Sequence, residues 1–201
     1  MHLCTTSNAV SEGEIREALR HFLIGGADAG ALVRDELSIN YLAERIDVAR
    51  IGSRLEGFEI KSDFDRLDRL GGQVSAFGGV FDELTLVTGP SLATSGARAV
   101  PAWWGLMVAN LDDAGRVSLT RVRQPQQNPL QASIKIAGLL WREELALACE
   151  TLVGKSAPKR ASRAQLCERL GRTVSVPALR DFVASRLIDQ DRAALYRQAA
   201  S

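Results

Sequence analysis

Two short runs, residues 45–51 (Arg-Ile-Asp-Val-Ala-Arg-Ile) and 57–61 (Gly-Phe-Glu-Ile-Lys), alternate apolar and polar side chains on either side of Gly52-Ser53-Arg54-Leu55-Glu56. Alternation at period two marks a strand with one buried face, and the turn-rich spacer makes the pair a hairpin. Centred near Ser53, that hairpin sets Asp47 opposite Glu59, and residues of equal parity share a face. Ile46, Val48, Phe58 and Ile60 then read as core, while Asp47, Glu59 and Lys61 lie together on the other side. Residues 31–41 alternate again, with Val33, Leu37, Ile39 and Tyr41 as the core-facing set. A turn near Leu42 brings Glu36 beside Asp47. The expectation is a three-stranded antiparallel unit whose polar face carries Glu36, Asp47, Glu59 and Lys61.

Carboxylates placed directly opposite one another repel, so a sheet built only for stability would avoid them. A hard divalent cation, Mg²⁺ or Mn²⁺, turns that repulsion into attraction and activates a water beside it. Lys61 alone also answers the repulsion, as an ordinary salt bridge, because an Asp…Glu-x-Lys pattern is short and common. Glu36 has its own plain reading as an exposed acid near a sheet edge. Three acids around one base make a poor salt bridge and a good cation site.

Downstream, the aspartates of residues 63–70 suit the positive end of a helix that should run to about Phe77, weakened by Gly71-Gly72. Arg66, Arg69, Gln73 and Phe77 would share one side of it. Gln73 is placed to orient a water or meet a phosphate, or is simply an exposed glutamine. Residues 81–88 read as a further strand, stopped by Gly89-Pro90. Ser11, with Glu14 three residues on, forms a capping box at the start of a helix whose core stripe is Ile15, Leu19 and Phe22. Residues 101–110 and 116–122, joined by the turn at Asp113-Ala114-Gly115, extend the sheet. One of Trp103 and Trp104 should be core, since neighbouring strand residues face opposite ways; an exposed tryptophan could stack on bases.

The order Asp47, then Glu59-Ile60-Lys61, then a helix with Gln73-Val74-Ser75-Ala76-Phe77, then the strand Leu84-Thr85-Leu86-Val87, resembles the PD-(D/E)XK nuclease superfamily, the restriction-endonuclease-like enzymes. Gly57-Phe58-Glu59-Ile60-Lys61-Ser62-Asp63, with Arg69-Leu70 and Gln73, resembles a group of small bacterial members. The likeness covers roughly residues 10–90 and more weakly reaches Trp141. It departs from the pattern in lacking a proline before Asp47 and in having Phe77 where a tyrosine is usual. The resemblance implies an α/β fold with a central mixed sheet flanked by helices and hydrolysis of a DNA phosphodiester. It also implies a metal held by Asp47, Glu59 and the Ile60 carbonyl, with Glu36 supporting it, and Lys61 and Gln73 in catalysis. A glutamate of the first helix often stands near the metal in such families, which makes Glu14 and Glu17 candidates.

At 201 residues and 46% hydrophobic, the chain can bury one sizeable core. No apolar run reaches membrane-spanning length and no leader is visible, and Cys4, Cys149 and Cys167 are spaced as reduced thiols, so a cytoplasmic protein without membrane contact is expected. With only His2 and His21, zinc chemistry and a histidine triad are disfavoured. A net charge of +1 does not suit a protein that coats DNA, but local arginines, Arg50, Arg54, Arg66 and Arg69, could grip it; they could equally be solvated.

A long amphipathic helix is expected over residues 130–153, with Ile134, Ala137, Trp141, Leu145, Ala148 and Leu152 on its stripe. Division follows as a domain of residues 1–153 and a helical extension of residues 154–201, reached through a basic link. The extension reads as two helices, near 163–170 and 176–188, that form either a small helix-turn-helix with Lys159 and Arg160 on DNA, or a packing or dimerisation appendage. The expected protein is a homodimeric, metal-dependent DNA endonuclease. A catalytically silent DNA-binding or protein-interaction module on the same fold is the alternative.

Overall fold

The computed structural model of the chain describes residues 9–26, 30–39 and 44–199. A six-stranded mixed sheet runs in the order β1-β2-β3-β4-β5-β6. The strands are β1 (Leu32–Ile39), β2 (Glu44–Ile51), β3 (Leu55–Lys61), β4 (Glu83–Thr88), β5 (Gly105–Leu111) and β6 (Val117–Arg123). β1, β2 and β3 pair antiparallel; β3, β4 and β5 pair parallel; β6 returns antiparallel to β5. Parallel neighbours need crossovers, which α2 (Leu70–Phe77) and α3 (Ala93–Ala99) supply. The fold is therefore α/β with a mixed sheet flanked by helices, as expected.

Helices cover both faces. On one, Ile15, Leu19 and Leu23 of α1 (Glu12–Ile24) pack with Val48, Phe58, Ile60, Val87, Met107 and Ala109. Phe22, expected in that stripe, is exposed, and Leu23 takes its place. The Ser11–Glu14 capping box forms as expected. On the other face, Ile46, Ala49, Leu84, Leu86 and Trp104 pack with α2 and with α4 (Ser133–Ala137), α5 (Arg142–Val153), α6 (Arg163–Thr173) and α7 (Val176–Ala199).

Those last helices do not form a detached appendage. Leu166, Leu170, Leu179, Val183 and Leu187 belong to the same core as the sheet. Arg180 of α7 lies 3.4 Å from the buried Asp82, and Ser133 Oγ donates to the Val174 carbonyl. The stripe of the C-terminal segment is buried against its own chain.

The single helix expected over residues 130–153 is two, broken at Gly138. The Arg163 guanidinium donates to the carbonyls of Gly138 and Leu140, which the break leaves free. Trp141 therefore caps α5 and is 62% exposed instead of joining the core. Of the tryptophan pair, Trp104 is fully buried and Trp103 only partly. The helix expected from Asp63 begins only at Leu70, because the Asp63 carboxylate accepts from the Val10 and Ser91 N–H groups and Asp65 from Ser62. Both acids hold a turned segment in place, so Arg66 lies outside α2, while Arg69 stands at its N-cap with its carbonyl accepting the Gln73 N–H. Tyr41 and the turn at Leu42 lie outside the described residues. No described helix is long and apolar enough to cross a membrane.

Candidate metal centre

The β2–β3 ladder runs from Ile51↔Leu55 to Val48↔Phe58 and stops. Continued by one rung, its register would set Asp47 opposite Glu59, as the hairpin predicted. Instead the strands part there, and Asp47 Oδ2 accepts the Ile60 N–H at 2.7 Å. A side chain has replaced a ladder bond at the point where the sheet opens.

On β1 the matching position is Glu36, between the rungs Asp35↔Val48 and Leu37↔Ile46. Its φ of 53° lies in the left-handed region, a strained conformation for a residue with a Cβ. The strands turn over at this rung. Val33 and Val48 pack toward α1, whereas Leu37, Ile39 and Ile46 pack toward the opposite helices. The expectation that Ile46 shares a face with Val48, and Val33 with Leu37, is thus corrected, since strict alternation assumes an unbroken strand.

Glu59 and Lys61 face the α2 side of β3 and are buried, at 1% and 8% exposure, instead of standing on a solvated face. Glu59 Oε1 accepts from Lys61 Nζ at 2.5 Å and from Gln73 Nε2 at 2.6 Å. Its other oxygen, Oε2, is buried with no hydrogen-bond partner among the described residues. Burial, with the Asp47 charge nearby, raises the Glu59 carboxyl from the usual 4.5 to about 7, against the opposing pull of Lys61 and Gln73. Burial also raises Asp47, opposed by the Ile60 N–H and by Lys61 and Arg16. Buried acids with raised pKa values and an unanswered oxygen fit a divalent cation, which would supply the missing partner and restore both to their ionised forms.

Sequence reasoning missed two residues of this region. Glu12 and Arg16 stand one turn apart on α1, and the Arg16 guanidinium reaches Glu12, Glu36 and Asp47. Glu12, not Glu14 or Glu17, is the first-helix acid drawn to the site; Glu14 is occupied in its capping box. The i, i+4 spacing of Glu12 and Arg16 beside the Ile15–Leu19 stripe signals their ion pair on α1 but not their meeting with Glu36 and Asp47. Among the proposed DNA contacts, Arg54 pairs with Glu83 and Arg66 with Asp68, both at exposed positions. Arg69 is exposed at the N-cap of α2. Lys159 and Arg160 stand exposed on the α5–α6 link, where the Lys159 carbonyl accepts from Arg142.

Fold and site together define an α/β protein whose mixed sheet opens around Asp47, Glu59 and Lys61. The family described as Bacteriophage P4 protein cII matches residues 5–197, and the chain belongs to that family. Protein cII of Enterobacteria phage P4 is 33% identical over 97 residues, which are 48% of this chain and 37% of that protein, so the match spans little more than a third of the relative. A solved structure, the SPO1766 protein of unknown function from Silicibacter pomeroyi, shares 16% identity over 86% of each chain at a TM-score of 0.40, too distant to inform fold or function.

Proposed function

We propose that this chain is a metal-dependent DNA endonuclease with a restriction-endonuclease-like core, working as a homodimer on duplex or branched DNA. The observation that carries the reading is Glu59. Its carboxylate is buried, and one oxygen is fixed by Lys61 and Gln73 while the other has no hydrogen-bond partner among the described residues. The succession α1-β1-β2-β3-α2-β4, with an acid on β2 and Glu-Ile-Lys ending β3, supports the fold assignment.

Asp47 and Glu59 would hold Mg²⁺ or Mn²⁺, with the Ile60 carbonyl as a further ligand. An ion so held supplies Lewis acidity to a phosphodiester oxygen and lowers the pKa of a bound water. Lys61 positions that water and offsets the charge that grows on the phosphate. Gln73, expected to contact water or substrate, hydrogen-bonds Glu59 and so aims the carboxylate. Two scissions of opposite polarity need two sites related by a two-fold axis, which a homodimer provides.

The test is incubation of the purified chain with plasmid, linear, single-stranded and branched DNA, in Mg²⁺, in Mn²⁺ and in EDTA. Cleavage that requires the metal and disappears in folded Glu59→Ala supports the reading. Equal cleavage by wild type and folded Glu59→Ala overturns it. DNA binding without cleavage under every condition would favour the silent module.

A further inference from the structure

We propose that Arg16 is a built-in counter-cation that fills the second half of the acidic site and restricts it to one divalent ion. This rests on the reading of Asp47 and Glu59 as metal ligands.

Three carboxylates, Glu12, Glu36 and Asp47, offer oxygens within 4.8 Å of one another, close enough for a cation to bridge. A cation is already there. Arg16 Nη2 lies 2.5 Å from Glu12, 3.0 Å from Glu36 and 3.5 Å from Asp47 Oδ1. Its Nη1 donates to the Asp47 backbone carbonyl at 2.6 Å. That last bond fixes the group. A guanidinium attracted only by carboxylates would leave when a metal neutralised them, but this one is also tied to the main chain of β2 and rises from a helix packed by Ile15 and Leu19. The side chain is 19% exposed, and a guanidinium keeps its charge in a protein at any working pH.

Asp47 is the hinge between the two halves. Oδ1 faces Arg16, whereas Oδ2 faces the Ile60 N–H, on the way to Glu59. Among the described residues, four carboxylates, Glu12, Glu36, Asp47 and Glu59, stand against two held cations, Arg16 and Lys61. The deficit is the charge of one divalent ion. Arg45 meets Glu36 only from solvent, at 3.4 Å and 63% exposed. Glu36 and Glu12 therefore serve Arg16, and the resident ion belongs to Asp47 and Glu59.

Mn²⁺ titration of the full chain at pH 8, followed by calorimetry and electron paramagnetic resonance, tests this. Wild type should bind one Mn²⁺. Arg16→Gln, checked for folding by circular dichroism, should bind two, the second lost on adding Glu36→Gln. A folded Arg16→Gln that still binds one ion, or a wild type that binds two, overturns the role of Arg16. If Arg16→Gln does not fold, Glu36→Gln alone decides. An Mn²⁺ affinity within about threefold of wild type supports the assignment, and a loss beyond tenfold overturns it. A wild type that binds no ion overturns the metal reading itself, which separates the two failures.

Discussion

Glu59→Gln keeps the shape of the side chain and removes its charge, and the structure predicts that this stabilises the metal-free protein. Burial and the Asp47 charge raise the Glu59 carboxyl from 4.5 to about 7. Between those values the folded chain holds a proton that the unfolded chain has released, so stability falls as pH rises through the window. The ionised carboxylate bears the full penalty above about pH 7. The whole shift corresponds to about 3 kcal/mol, at roughly 1.4 kcal/mol per unit. The opposing pull of Lys61 is already contained in that shift, and relaxation of the surroundings around the charge brings the expected gain to roughly 1–3 kcal/mol at pH 8. At pH 5 it should shrink to less than about 1 kcal/mol, because wild type is then protonated in the fold. Urea denaturation of both chains in EDTA at the two pH values measures it. Saturating Mg²⁺ should reverse the order, since only wild type gains from binding. A variant less stable than wild type at pH 8 in EDTA, or a difference independent of pH, would refute the argument that burial strains this carboxylate.

Two further outcomes follow from the same geometry. Lys61→Ala should lose turnover while keeping Mn²⁺ affinity, because an ammonium is no cation ligand, whereas Asp47→Ala should lose both; cleavage rates beside Mn²⁺ titrations check this, and the opposite pattern would reverse the roles. Truncation after Val153 should yield an unfolded or aggregated chain instead of a working core, because it strips Leu166, Leu170, Leu179, Val183 and Leu187 from the face of the sheet and leaves the buried Asp82 without Arg180; circular dichroism and solubility of the truncated chain decide.

The local rules were legible in the residues themselves. Alternation placed β2 and β3 and their register, the Ser11–Glu14 spacing placed the start of α1, and Gly89-Pro90 ended β4. Each rests on neighbours in sequence, where periodicity and backbone sterics act directly. The set Asp47, Glu59 and Lys61 was readable for the same reason, because one hairpin carries all three. What the tertiary structure alone decided lies where distant segments meet. Period two continues through Glu36 and Asp47 on paper, yet the strands turn over there because β1 and β2 must feed opposite helical layers on either side of one rung. The aspartates at 63 and 65 look like a helix start, but Val10 and Ser91, far away in the chain, compete for the Asp63 carboxylate. The apolar stripe of the C-terminal helices says that it must be buried and not against what; the sheet's own face supplies the partner. Arg16 enters the site only when α1 is laid across β2, because a charge 31 residues from Asp47 acts through distance in space, which no spacing along the chain encodes.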